Sequence, residues 1–133
     1  MSHTGTVLIA VRDGTLADSL RFSLELEGYE TRFCDEQGLS PLLRKTHPES
    51  TCLVLDQDIF SRVADARDSE FAGCSGVPVI LMVSQKTERL LAKARSGGVT
   101  KVLEKPILGG LMLETIRQVI ETNEPLGANL RPL

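Results

Sequence analysis

Two short runs carry the residues whose types and spacing suit chemistry. Asp56 ends the apolar run Cys52-Leu53-Val54-Leu55-Asp56, and Lys105-Pro106 closes a second one, Val102-Leu103-Glu104-Lys105-Pro106. One strand delivering a carboxylate and another delivering an ammonium to the same sheet edge is an arrangement for phosphoryl transfer. Such transfer is catalysed mainly by positioning and charge neutralisation. Mg²⁺ often supplies much of the neutralising charge, and it takes oxygen ligands in octahedral geometry. The turn that would face Asp56 reads Val11-Arg12-Asp13-Gly14-Thr15. Val11 offers no oxygen and Arg12 brings a positive charge, so Asp13 and Asp58 are the lesser metal candidates. A guanidinium can pair with a carboxylate or a phosphoryl group in place of a metal. Plainer roles stand beside these: Asp56 as a turn cap, Lys105 as a solvated strand-end lysine, Arg12 as a solvated loop arginine, Asp58 as a surface residue.

The elements that must position these groups alternate. Residues 6–11, 51–56 and 77–83 read as strands apolar on both faces, as buried parallel strands are. Residues 29–34 and 101–103 read as shorter strands. Helical spacing marks 15–27, with Leu16, Leu20 and Leu24 on one face and Gly28 stopping it. Helices also read at 39–46, with Pro41 near the start, at 59–70 with weak amphipathicity, at 87–95 and at 111–121. Five strands, each followed by a helix, predict an α/β fold with a parallel sheet and helices on both faces. The flavodoxin-like (βα)5 doubly wound sheet, order 2-1-3-4-5, fits this length. Its ligand site lies beyond the carboxyl ends of the strands, where β1 and β3 diverge. There Val11, Arg12, Asp13 and Asp56 should meet. Residues 1–122 read as one domain, and 123–133, with two prolines and little periodicity, as a loose tail.

Composition narrows the function classes. The chain has 133 residues, 41% hydrophobic and 25% charged, with 4% aromatic residues and no Trp, so its core must be aliphatic. A net charge of −3 gives no basic footprint for nucleic acid. No apolar run approaches the roughly 20 residues of a membrane span, and residues 1–5 lack the regions of a signal peptide. Three cysteines, Cys34, Cys52 and Cys74, form an odd set without metal-ligand spacing, which points to a reducing cytoplasm. Cys52 reads as a small core residue.

Five segments in this order and spacing resemble the receiver domain of bacterial response regulators, the CheY-like fold. They are Val7-Leu8-Ile9-Ala10, Leu26-Glu27-Gly28-Tyr29, Leu53-Val54-Leu55-Asp56, Val77-Pro78-Val79-Ile80 and Leu103-Glu104-Lys105-Pro106. Together they span residues 6–121. The resemblance implies that Asp56 is the phosphoacceptor and that Lys105 contacts the phosphoryl group. It puts the acidic pair that holds Mg²⁺ on Val11 and Arg12, the switch hydroxyl on Val83, followed by Ser84, and the rotamer-switch aromatic on Val102. Asp13 then falls on a third, variable position beside the metal. Strand alternation turns Ser84 to the opposite side from Val83, which favours a backbone or surface role. After Asp56 the family's Met-Pro and Gly are absent, and the third helix should be short or irregular. The resemblance also implies a cis bond before Pro106, which an X-Pro bond adopts at a cost of about 0.5–1 kcal/mol.

The expected protein is thus an atypical, degenerate receiver in two-component phosphorelay signalling, not an enzyme. It would act mainly through protein–protein interaction, with weak or absent Mg²⁺-dependent phosphorylation. The alternative is a working phosphoacceptor, fed at Asp56 by a histidine kinase or acting as a phosphate sink. A nucleotide- or flavin-binding enzyme of similar fold is disfavoured, because the first turn has a single Gly and no phosphate-cradling fingerprint. The expected partners are a histidine kinase or a downstream signalling protein, with no nucleic acid and no membrane. Residues 87–117 would form the output face, which also suits a symmetric homodimer. Arg12 is expected within ion-pair reach of Asp56.

Overall fold

The computed structural model describes residues 5–35, 37–39, 50–67 and 77–122. Five strands form one parallel sheet: β1 (Thr6–Ala10), β2 (Glu30–Phe33), β3 (Thr51–Asp56), β4 (Val79–Val83) and β5 (Lys101–Glu104), in the order β2-β1-β3-β4-β5. The described helices are α1 (Gly14–Leu26), α2 (Gln57–Arg67), α3 (Glu88–Ser96) and α4 (Gly109–Thr122). This is the doubly wound order that the sequence predicts. The expected helix at 39–46 lies largely outside the described residues, although 37–39 are helical. The expected tail at 123–133 and Cys74 lie outside them altogether.

Alternation along the strands builds two aliphatic layers. Leu8, Leu53, Leu55, Leu81 and Val83 face one way, against Ile59 and Phe60 of α2 and Ala94 of α3. Val7, Ile9, Cys52, Val54, Ile80 and Met82 face the other, against Leu24 of α1 and Ile116 and Val119 of α4. The register sets like against like, with Val7 beside Cys52, Ile9 beside Val54 and Leu55 beside Leu81. β3 and β4 are buried at every position, as their unbroken apolar runs require.

Local chemistry sets the boundaries. The Asp13 carboxylate caps α1, accepting the Thr15 and Leu16 N–H groups at 3.0 and 3.2 Å. Gly28 ends this helix region with φ +97°, and the Tyr29 N–H turns back to the Leu24 carbonyl at 3.1 Å. Thr87 caps α3 by accepting the Leu90 N–H at 3.1 Å. One boundary differs from the sequence reading in a way that matters. α2 begins at Gln57, directly after β3, and runs 11 residues. With no Pro or Gly after Asp56, the chain passes from strand to helix without a loop.

Candidate functional site

β3 carries Asp56 to the carboxyl edge of the sheet, beside Met82 of β4. Its position in the strand matches that of Cys52 and Val54, so it belongs to the α1/α4 face. The backbone places Lys105 next to it: the Lys105 N–H donates to the Val83 carbonyl at 2.8 Å, just past the end of β5. The Lys105–Pro106 bond is cis, as expected. Lys105 Nζ lies 2.9 Å from Asp56 Oδ1. Oδ1 is buried, and the Lys105 ammonium at this distance is its ion-pair partner. The Asp56 side chain is 8% exposed and that of Lys105 34%, which makes this a partly desolvated pair at a mouth.

The structure corrects the expectation for Arg12. It is exposed and makes no ion pair with Asp56; it lines an open polar depression with Cys34, Asp35 and Gln37. Lys105 already neutralises the carboxylate, and a solvated guanidinium would have to surrender water to join a pair that is complete. Val11 is half-buried and packs against the α1/α4 layer. Asp13, offered as a lesser metal candidate, caps α1: its Oδ1 accepts two backbone N–H groups of the first turn. Of the four groups expected to meet, Arg12 makes no ion pair with Asp56 and Asp13 caps α1, while Val11 follows Ala10, which pairs with Leu55, next to Asp56.

Asp58 is exposed in the first turn of α2. Val83 is fully buried and Val102 half-buried in the α2/α3 layer, apolar where a hydroxyl and a ring were sought. Ser84 is exposed, on the other side of the strand from Val83, and its N–H donates to Gln57 Oε1 at 3.0 Å. Gln57 is the residue that sequence reasoning passed over. A polar side chain directly after a strand-end acid, with no turn residue between, is the only signal for it. A second tie joins the same region, from the Lys86 N–H to Glu104 Oε2 at 3.0 Å.

Mg²⁺ does not fit the residues present. One flanking position is apolar, the next cationic, the third acid commits one oxygen to a helix cap, and Asp56 is held by an ammonium. Among the described residues no group of three or more His, Cys, Asp or Glu side chains is placed to hold a metal ion. Chemically the site offers one buried nucleophilic carboxylate and one ammonium able to meet an anion. No helix among the described residues is long and apolar enough to cross a membrane.

No family model and no curated protein matches the sequence. Solved structures do match the fold. A CheY-like response regulator receiver domain protein from Methanospirillum hungatei JF-1 superposes with a TM-score of 0.69 at 16% identity, covering 91% of this chain and 97% of that one. Full-length FixJ from B. japonicum gives 0.68 at 21% identity, covering 94% of this chain and 61% of that one. The Vibrio cholerae chemotaxis protein CheY4 gives 0.66 at 16% identity, covering 88% of this chain and 99% of that one. The chain thus spans about the whole of a single receiver domain and part of a full-length regulator. At these identities the likeness is one of fold: this chain has the CheY-like fold of receiver domains.

Proposed function

We propose that this chain is an atypical receiver in two-component signal transduction, working mainly by binding another protein. The partner would be a histidine kinase or a downstream signalling protein, in the cytoplasm, and the module would not be an enzyme. Phosphorylation of Asp56 would be slow and little helped by Mg²⁺. The observation that carries this reading is the Asp56–Lys105 pair at the carboxyl edge of a receiver-like sheet, without acids on Val11 and Arg12 to hold a metal. Removing one preorganised charge contact typically costs ~10²–10³ in rate, and here a metal site and a switch hydroxyl are both gone. Val83 and Val102 supply no moving hydroxyl or ring, so the surface of α3, β5 and α4 should stay in one state.

The second reading, a working phosphoacceptor, is favoured by the ammonium of Lys105 standing 2.9 Å from Asp56 Oδ1, where it can meet an arriving phosphoryl group. In that case the carboxylate oxygen bonds to phosphorus as the donor's P–O bond breaks, and Lys105 offsets the charge that arrives. Intact-mass analysis after incubation with acetyl phosphate, with and without Mg²⁺, separates the two. We expect little product of about +80 Da and no gain from millimolar Mg²⁺. Rapid, stoichiometric, Mg²⁺-dependent labelling of Asp56 overturns the first reading in favour of the second.

A further inference from the structure

A cavity of about 540 Å³ opens between α1 and α4, beneath the turn that follows β5. Small-molecule sites fall in the range of roughly 300–1,000 Å³, apolar with a few convergent polar groups. This cavity has that make-up. Leu16 and Leu20 of α1, Met82 of β4, and Met112 and Leu113 of α4 line it. The polar lining among the described residues is three serine hydroxyls and one cation, Lys105, with no acid. Lys105 is the group that pairs with Asp56, and that single contact at 2.9 Å occupies one of the three donors an ammonium carries. The other two remain available to a second anion at the partly exposed end of the side chain.

We propose that this cavity binds a small amphipathic carboxylate, an aliphatic chain of medium length whose head meets Lys105. Apolar walls favour the chain through removal of its surface from water. The lone cation selects the sign of the head, because an ammonium head would meet Lys105 unpaired and an uncharged head would leave its donors weakly used. A phosphoryl group on Asp56 would compete for Lys105, so the binding belongs to the unphosphorylated chain.

The test is calorimetric titration of the full unphosphorylated chain with decanoate, decanol and decyltrimethylammonium, each below its aggregation concentration. Decanoate should saturate at one molecule per chain. Decanol should bind about tenfold more weakly or worse, and the cationic amphiphile should not bind. Lys105→Met should bring decanoate down to the level of decanol. Ser23 is exposed on α1 and lines the cavity, so Ser23→Trp should obstruct it and weaken decanoate by about tenfold while the thermal unfolding curve stays in place. Absence of saturable binding overturns the proposal, as it would if a partner helix or residues 123–133 took the groove instead. Equal affinity for all three heads, or unchanged affinity in a folded Ser23→Trp variant, overturns it as well.

Discussion

Lys105→Met tests the charge pair at its weak point. The substitution keeps most of the aliphatic stem and removes the ammonium, leaving Asp56 as a carboxylate with a buried oxygen and no partner. Breaking a fully buried ion pair from one side costs roughly 3–5 kcal/mol, because a bare charge stays behind. An exposed pair is worth about 0–1 kcal/mol. With the Asp56 side chain at 8% exposure and Lys105 at 34%, the pair lies between these limits, and the loss should be about 2 kcal/mol at neutral pH. With a urea slope of roughly 1–3 kcal/mol per molar, the unfolding midpoint should fall by about 1 M. There is no Trp and a single Tyr, so far-ultraviolet circular dichroism is the probe of choice. The double variant with Asp56→Asn should recover most of the loss, since an amide there leaves no bare charge. A loss below about 0.5 kcal/mol, or a double variant no more stable than Lys105→Met alone, would refute a desolvated pair.

Other consequences are as direct. Asp13→Ala removes an acceptor of two N–H groups and should cost about 1 kcal/mol, while any response of the protein to Mg²⁺ stays as it was; a lost response would make Asp13 a metal ligand after all. Burial pushes the Cys52 thiol up to about 12, and burial followed by the Asp35 charge pushes Cys34 up to about 11. The folded chain keeps both protons where the unfolded chain, ionising near 9, loses them, so stability should hold below pH 9 and fall as pH rises toward 11–12. A urea midpoint series from pH 7 to pH 10.5 reads this directly, and at pH 7 both thiols should react slowly with disulfide reagents. Gly5 has φ +148° and lies against Ser50, whose carbonyl oxygen would sit 2.7 Å from an added Cβ, so Gly5→Ala should destabilise by more than about 1 kcal/mol in the same assay.

Much of this architecture is written in local pattern. The runs at β1, β3 and β4 are apolar at nearly every position, and only a strand covered on both faces uses such a run. Gly28 and the spacing of Leu16, Leu20 and Leu24 delimit α1 in the same way, and the cap role of Asp13 is local too, a carboxylate just before a helix start. Lys105 was legible because its neighbour Pro106 and its strand fix where the chain turns. Arg12 was not. Its backbone position follows from β1, but a long charged side chain goes where the balance of hydration and pairing sends it, and that balance depends on Lys105 having reached Asp56 from a strand nearly fifty residues further along in the middle of the tertiary fold. The junction at Gln57 was hidden for a related reason. The missing Pro and Gly read as a short or irregular helix, while in three dimensions their absence lets the helix start at once.

The tie between Gln57 and Ser84 gives that junction an observable of its own. The Ser84 amide sits at an exposed residue, where exchange with solvent deuterium would ordinarily be fast, yet its proton is lent to a side chain rooted beside Asp56. Its exchange rate is therefore a clock for the opening of the strand ends around the carboxylate. It needs no substitution, and it reads the same rim whether a phosphoryl group, a partner protein or nothing at all has arrived there.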